Sequence, residues 1–556
     1  MVESIVLGVS KVLTKQRIGR RTASIAGLLS FCLVVLASCT APREALDTPT
    51  DSRLDRIRLG TTAQIVTLDP ADAYELSSFI AIANLGDRLY SYAPDSTEIV
   101  PQLATALPTI QDDGLTYVIP LRSDVVFHDG TPFNAEAMVF SVQRFVENKG
   151  RPSFLLSDII SSVEATDTYE LTVRLNYPFA AFTALLTFPG LCPVSPNAYD
   201  IGEGEFKPDM FVGTGPYILK SYGSDTLELD AFEDYWGTQP QNTGVDIQRF
   251  SSQANLYNAF RTGSIDVAYQ SLDADRIHSL EELAPKEGWH VVATESPTIS
   301  YLVVNVEQPP LDRIEVRQAL AMLVDRHLLN ERVFYGQAEP LYTLLPRSFA
   351  ASQPVFANRY GDGNIDRAKV LLRESGFSAE RPLNLEIWFA STSSENRLAT
   401  TVLKAAIDRD LGGLVNLEPH SVEAATAYGY LDKGVYSTFM LSWYADFFDP
   451  DNYLKPFLDC NEGSIETGCT DGESQYHGSF YYSKRANELL DLQRQTTDSV
   501  TRTRSIVELQ EMVADEVPYI PLWQTKDYAF AGPNIEGVAL NSTQQTLLFA
   551  PIRKAI

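Results

Sequence analysis

The sequence predicts a protein of mixed α and β structure that is divided into more than one lobe. The chain has 556 residues, which is longer than a single hydrophobic core usually supports. Helical and strand patterns alternate from about residue 300 onward, which favours an α/β lobe. An earlier stretch of about 110 residues combines short strands with one amphipathic helix, which indicates a smaller α+β unit.

The first elements are predicted by alternation and by helix-start signals. Residues 57–66 (IRLGTTAQIV) and 115–121 (LTYVIPL) have strand character, and the second follows an Asp-Asp-Gly turn. Residues 134–148 (NAEAMVFSVQRFVEN) begin with an asparagine that can cap a helix, and their apolar side chains share one helical face. Residues 169–175 (YELTVRL) form the next predicted strand.

The later elements are predicted from the same two patterns, alternation of apolar residues in strands and an apolar face in helices. A strand over 300–306 precedes a Pro-Pro break, and residues 316–329 (VRQALAMLVDRHLL) read as one amphipathic helix. A strand over 383–390 (LNLEIWFA) leads into a helix near 394–409 and then into the short strand VNLEP. The last predicted helix spans about 498–516.

Charge and motif content argue against several classes of function. The formal net charge of −28 argues against nucleic acid or an anionic membrane surface as the main partner. The sequence contains no signature of a nucleophile elbow, a zinc protease or a P-loop, and its six histidines are scattered without an i,i+4 pair. We therefore expect no enzyme, no metal site and no cofactor.

The N-terminus has the pattern of an export signal. A basic stretch precedes the apolar run IAGLLSFCLVVLAS (25–38), which is short for a bilayer span but typical of a signal peptide. The run ends in Leu-Ala-Ser-Cys, which resembles a bacterial lipobox and implies cleavage after residue 38 and lipidation of Cys39. The alternative is an ordinary signal peptide with an incidental cysteine. Residues 39–56 are expected to form a flexible tether.

Export also changes the interpretation of the remaining cysteines. Cys460 and Cys469 flank a loop rich in Gly, Ser and Asn in what would be an oxidising compartment, so we expect them to form a disulfide. The alternative is half of a metal site, for which His477 is the only further ligand nearby.

Several segments resemble the family 5 extracellular solute-binding proteins, the peptide/nickel/opine class that serves ABC importers. The matching segments occur in family order along nearly the whole mature chain: VVFHDGTPFNAEAMVFSVQR (125–144), VGTGPYIL (212–219), DYWG (234–237), VNVEQPPLDRIEVRQALAMLVDR (304–326), WYADFFDPDNY (443–453) and PYIPLWQ (518–524). One departure is Ala137, where the family usually has Asp.

The resemblance implies a fold and a division of the chain. The expected fold is α/β, a two-lobed periplasmic-binding-protein clamshell (type II-like) with an additional inserted α+β domain. Lobe I would comprise 57–95, 206–300 and 528–556, inserted domain II would comprise 96–205, and lobe III would comprise 301–527. The chain would cross between lobes near residues 300 and 527, and closure about these crossings would trap a ligand.

The resemblance also implies a candidate ligand contact. In peptide-binding members, the acid of the W-x-x-D segment binds the ligand's α-ammonium, and here that acid is Asp446. Trp443, Tyr444 and Phe447 would supply apolar walls and aromatic faces near the ammonium. Ala445 is a further candidate ligand contact, and the strand around 440–446 could pair with an extended peptide. The alternative is that Asp446 caps the turn at Asp449-Pro450.

Further ligand contacts are expected on both sides of the cleft. Tyr74, Glu75 and Leu76 follow the Leu68-Asp69-Pro70 turn and would face the ligand from the opposite lobe. Trp523 is assigned either to the cleft or to the core, and Arg397 is a candidate for binding the ligand carboxylate. A dipeptide would need a basic group at a fixed distance to bind its carboxylate, and the sequence offers none better than Arg397. Oligopeptides, whose C-terminus can reach water, are therefore favoured over dipeptides.

The expected role is a lipid-anchored binding subunit that delivers peptides to an ABC permease with its ATPase subunits. The protein would act as a monomer outside the cytoplasm, facing the periplasm or the cell exterior, attached to the membrane by its N-terminal lipid alone. The first alternative keeps the fold and role but replaces the peptide by a nickel chelate, an opine or an oligosaccharide. The second is a secreted hydrolase or surface interaction protein without a transporter.

Overall fold

The computed structural model describes residues 55–93, 96–544 and 546–555. The predicted signal peptide, Cys39 and nearly all of the predicted tether lie outside these residues. Arg56, the last residue of that predicted tether, is buried, and its guanidinium donates to Asp246 and to the carbonyl of Leu229. Within the described residues, no helix combines the length and apolar character needed to cross a bilayer.

The strands are numbered in chain order. They are β1 Ile57–Thr61, β2 Tyr90–Tyr92, β3 Ile99–Pro101, β4 Thr109–Gln111, β5 Thr116–Pro120, β6 Ile160–Asp167, β7 Glu170–Leu175, β8 Tyr217–Tyr222, β9 Thr226–Ala231, β10 Gly244–Arg249, β11 Val267–Tyr269, β12 His290–Val304, β13 Glu339–Pro340, β14 Leu383–Ala390, β15 Val415–Val422, β16 Thr438–Trp443, β17 Glu462–Ser464, β18 Gly468–Asp471, β19 Tyr519–Ala531, β20 Ile535–Glu536, β21 Ala539–Asn541, β22 Thr546–Leu548 and β23 Arg553–Lys554.

The α-helices are numbered in the same way. They are α1 Leu76–Leu85, α2 Ala135–Glu147, α3 Phe154–Ser157, α4 Phe182–Leu185, α5 Gln253–Arg261, α6 Ala274–Glu287, α7 Ile314–Leu323, α8 Arg326–Phe334, α9 Val355–Arg359, α10 Ile365–Glu374, α11 Ser394–Leu411, α12 Ala424–Leu431, α13 Lys455–Leu458, α14 Glu473–Tyr476, α15 Lys484–Gln495 and α16 Ser499–Glu516. Short 3₁₀ turns span Asp112–Gly114, Arg151–Ser153, Pro189–Leu191 and Pro450–Tyr453.

One large mixed sheet runs through the molecule in the order β15-β14-β16-β12-β19-β11-β1-β10-β9-β8, with β13 paired to β19. Its two longest strands, β12 and β19, pair antiparallel along most of their length and join the two halves of the sheet. β14, β15 and β16 lie parallel in one half, and β11, β1 and β10 lie parallel in the other. A separate antiparallel sheet, β4-β5-β7-β6, belongs to residues 109–175 and contacts α2.

The buried side chains form two main clusters. One is built mostly from residues 299–523 and the other mostly from residues 57–292 and 529–552. The boundary between the clusters therefore falls on β12 and β19, the strands that join the two halves of the sheet. The boundaries of the lobes themselves stay a prediction.

The predicted helix over 316–329 is wrong as a single element. α7 ends at Leu323 and α8 begins at Arg326, so the helical pattern is interrupted at Val324 and Asp325. The carboxylate of Asp325 accepts a hydrogen bond from the Leu328 backbone N–H at 2.9 Å and thereby caps α8. A capping acid competes with helix continuation because it satisfies the backbone donors of a new first turn.

Candidate functional site

The carboxyl end of β16 places the W-x-x-D segment beside a cavity. β16 ends at Trp443, and residues 444–449 leave the sheet before the 3₁₀ turn Pro450–Tyr453. β12 pairs with β16 as far as Trp443, whereas β14 reaches it only at Phe439 and Met440. Neither β12 nor β14 therefore pairs with the edge of residues 441–443 that faces away from β12.

A buried ion pair holds the opposite wall of the cavity. The Arg144 guanidinium donates to both carboxylate oxygens of Asp69, at 2.7 and 2.6 Å, and both side chains are buried. Asp69 also accepts from the backbone N–H groups of Ala71 at 3.0 Å and Lys207 at 2.7 Å. These bonds fix the turn after residue 68 and so position Tyr74, just before α1.

The cavity between these segments has a volume of about 490 Å³. This size falls within the usual range for ligand pockets. Six aromatic residues line it: Tyr74, Phe154, Tyr177, Phe179, Trp443 and Phe447. The charged residues that line it are Asp158, Asp446, Asp451, Glu473, Lys455 and Arg494.

Asp446 is half-buried in the wall of this cavity. Its carboxylate accepts hydrogen bonds from the Tyr74 hydroxyl and, at 3.5 Å, from the Asn452 amide. Burial raises the pKa of Asp446 to about 6; the two hydrogen bonds oppose this rise and the nearby Glu473 adds to it. A carboxylate in this setting is disfavoured in the empty protein and is stabilised when a cation arrives.

The turn at Asp449-Pro450 is capped by Asp449 itself, and not by Asp446 as the alternative prediction had it. The Asp449 carboxylate accepts from the Asp451 backbone N–H at 2.9 Å and pairs with Arg502. Asp446 uses its own backbone N–H to donate to the Asn452 side chain at 2.8 Å. The capping role thus belongs to Asp449, and the Asp446 carboxylate stays directed to the cavity.

The two cations that line the cavity are already engaged. Lys455 pairs with Asp459 at 2.8 Å, and Arg494 lies 3.4 Å from Asp451. Arg494 also lies over the Phe179 ring, with 4.7 Å between its guanidinium carbon and the ring centroid. Among the described residues that line the cavity, no side-chain cation is therefore paired with Asp446.

The aromatic walls are held by packing and by hydrogen bonds. The Trp443 indole donates to the Asn452 carbonyl at 2.7 Å, and the Phe447 ring packs edge-on against Phe179 at 6.2 Å. Tyr74 packs edge-on against Phe154 at 5.7 Å. Such faces can contact a bound cation or an apolar side chain.

The other predicted residues of this segment have different surroundings. Ala445 is buried, and the Tyr444 hydroxyl donates to the Gln544 carbonyl at 3.3 Å. Neither lines the cavity.

Further predicted site residues lie away from this cavity. Glu75 forms an ion pair with Arg151, and Leu76 lines a separate cavity of about 230 Å³. Trp523 is only 3% exposed and packs against Phe334 with ring centroids 5.0 Å apart, so it belongs to the core. Arg397 is exposed on α11 and is not among the lining residues.

Glu473 and the wall formed by residues 154–159 and 177–179 are not predicted by any pattern in the sequence. These segments are far from the W-x-x-D motif in the chain and carry no motif of their own. The available signal was the position of Glu473, four residues after Cys469 in a loop expected to be held by a disulfide.

Cys460 and Cys469 form a disulfide, with their sulfur atoms 2.09 Å apart. The bond spans the hairpin of β17 and β18, which leads directly into α14 and Glu473. No group of three or more His, Cys, Asp or Glu side chains in the described ranges could hold a metal ion.

Replacing both cysteines by serine should destabilise the protein by about 2–3 kcal/mol, because a closed loop of this length restricts the unfolded chain. Denaturant titration with and without dithiothreitol measures this loss. The reductant should shift the transition of the wild type and leave the double variant unchanged. An unshifted wild-type transition under complete reduction would show that the bond does not stabilise the fold.

Comparisons with known proteins identify the family of this chain. Residues 98–464 match the sequence profile described as "Bacterial extracellular solute-binding proteins, family 5 Middle". The glutathione-binding protein GsiB of Salmonella typhi is 27% identical over 494 residues, covering 85% of this chain and 90% of the relative. Heme-binding protein A of Haemophilus influenzae is 26% identical over 543 residues, covering 92% and 95%.

A solved structure shows the same fold. The periplasmic binding protein DppA of Helicobacter pylori, in complex with the peptide STSA, superposes with a TM-score of 0.71 at 23% identity, covering 90% of this chain and 98% of that one. The predicted fold class, a two-lobed clamshell of mixed α/β structure, is confirmed. The chain belongs to the family 5 bacterial extracellular solute-binding proteins, the substrate-binding components of ABC importers.

Proposed function

We propose that this protein captures peptides by their α-ammonium group at Asp446 and delivers them to an ABC permease. The observation that carries the proposal is a half-buried carboxylate beside a cavity with aromatic walls, where the lining cations are bound to other acids. A ligand ammonium would supply the counter-charge of the Asp446 carboxylate and donate a charge-assisted hydrogen bond to it.

The charge of the cavity supports a cationic ligand group. Four lining carboxylates face two lining cations, which gives a formal balance of −2. This negative balance attracts the free α-ammonium of a peptide.

The backbone of β16 supports an extended peptide. At residues 441–443, the edge that β14 leaves unpaired offers main-chain groups that can pair with a ligand strand irrespective of its side chains. β12 and β19 would act as the hinge strands during closure around the ligand. Attachment through lipidated Cys39 completes the proposed arrangement.

Native mass spectrometry of the purified protein, followed by denaturation and identification of released molecules, tests the proposal. Release of a set of peptides supports it. Release of a single metal complex, opine or sugar would contradict the peptide assignment and favour the alternative ligand. If nothing is released, titration with tripeptides decides the question.

Peptide affinity should fall as the pH drops below about 6, because burial raises the pKa of Asp446 to about 6 and only its ionised form attracts an ammonium. The loss should approach about tenfold per pH unit well below that pKa. Calorimetric titration of Ala-Ala-Ala between pH 8 and 5 measures it. An Asp446→Asn variant should show a flat, weak profile, and an equally steep profile in that variant would assign the dependence to another group.

A further inference from the structure

A second carboxylate, Glu473, shares the cavity with Asp446. The imidazole of His477 lies near Glu473, with its Nδ1 4.0 Å from a carboxylate oxygen of Glu473. That Nδ1 lies 3.0 Å from the Glu473 backbone carbonyl, to which it can donate, and burial lowers the pKa of His477, so the imidazole stays neutral. No charged partner within the described residues therefore neutralises the Glu473 side chain.

The backbone around Glu473 is held firmly. The Ser474 N–H donates to the Asp459 carbonyl at 3.0 Å, and the Ser474 hydroxyl donates to the Tyr481 carbonyl at 2.7 Å. Gly472 has φ +146°, and a Cβ there would lie 2.7 Å from the Cys460 Cα. The disulfide and this close approach fix the start of α14, so the backbone position of Glu473 is set by the fold rather than by the ligand.

The number of carboxylates in the cavity favours a ligand that carries more than one cation. Arg494 is paired with Asp451 and Lys455 with Asp459, so an α-ammonium at Asp446 leaves two lining carboxylates without a cation, Glu473 and the solvent-exposed Asp158. Asp446 and Glu473 line the same cavity, and the charge of Glu473 adds to the rise in the pKa of Asp446. A second cation on the same ligand residue would relieve this repulsion.

We infer that Glu473 selects peptides whose first residue has a cationic side chain, lysine or arginine. This inference rests on the proposed function, because the α-ammonium must first be bound by Asp446. The side chain of the first residue leaves the same Cα as the ammonium, so both cations reach the cavity together. Trp443, whose ring lies 5.5 Å from His477 near α14, offers an aromatic face to the side-chain stem or its charge.

Two peptides that differ only in this charge test the inference: Lys-Ala-Ala and norleucine-Ala-Ala, titrated calorimetrically into the full purified protein. The wild type should bind the lysine peptide roughly tenfold more tightly, as expected for a partly desolvated charge pair. In Glu473→Gln the preference should fall to less than about twofold, while binding of the norleucine peptide is retained. Glu511→Gln, which changes an exposed acid on α16, is the control for net charge and should keep the full preference.

The outcomes separate this inference from the proposed function. Equal affinity of the wild type for the two peptides would overturn the role of Glu473 but leave Asp446 in place. A preference that survives in Glu473→Gln would also overturn it. If neither peptide binds the wild type, the proposed peptide function itself fails.

Discussion

Asp446→Asn should lower peptide affinity by about 2–5 kcal/mol, roughly 30-fold or more, because removing one member of a desolvated charge pair leaves the ligand ammonium without its partner. Asparagine keeps the shape of the side chain and can still bond to Tyr74 and Asn452. The loss therefore reports on charge rather than on packing. Calorimetric titration of Ala-Ala-Ala into both proteins measures the difference.

The same substitution should leave the empty protein at least as stable as the wild type. The raised pKa of Asp446 means that burial disfavours its charged form, and a neutral amide removes that cost. Asp449→Asn is the matched control, because Asp449 caps the 3₁₀ turn and pairs with Arg502 but does not line the cavity. This control should lower the denaturation midpoint. Unchanged peptide affinity in Asp446→Asn would remove Asp446 from the site.

Arg144→Met should destabilise the fold by about 3–5 kcal/mol, because it leaves the fully buried Asp69 carboxylate without its cation. The measurement is the shift of the denaturation midpoint in guanidinium chloride. Peptide binding should weaken as well, because Asp69 holds the turn that positions Tyr74.

Arg485→Met is the matched control for this prediction. Arg485 is exposed and pairs with Glu508 at 2.8 Å, so its loss should cost less than about 1 kcal/mol. Adding Asp69→Asn to Arg144→Met should recover part of the lost stability, because no unpaired charge is then buried. Equal effects of Arg144→Met and Arg485→Met would contradict the structural role of the buried pair.

Local sequence patterns predicted the bounds of an element correctly where those bounds depend on residues within the element itself. β14 spans the predicted residues 383–390, since alternate side chains along it are buried. α2 begins after Asn134, whose side chain accepts from the Ala137 N–H at 2.9 Å. The interruption at Asp325 was not predicted, because the apolar pattern continues across it while the capping acid ends the hydrogen-bond series.

The candidate site was only partly accessible to sequence reasoning. Asp446 was found through a short motif whose residues are adjacent in the chain. The partner acid Glu473 and the wall that contains Phe179 come from distant segments, and only tertiary packing brings them to Asp446. Trp523 is an aromatic residue of the kind that often lines a cleft, yet β19 directs it into the core. Because β19 is buried on both faces, its sequence does not alternate, and periodicity cannot tell which side chains face the core.

The central claim is that Asp446 binds the free α-ammonium of a peptide. The most direct measurement compares Ala-Ala-Ala with N-acetyl-Ala-Ala-Ala by calorimetric titration into the purified wild-type protein at pH 7.5. Acetylation removes the positive charge and leaves the rest of the peptide unchanged. We predict that the free peptide binds and that the acetylated peptide binds at least about 30-fold more weakly. Equal binding of the two peptides would contradict the claim.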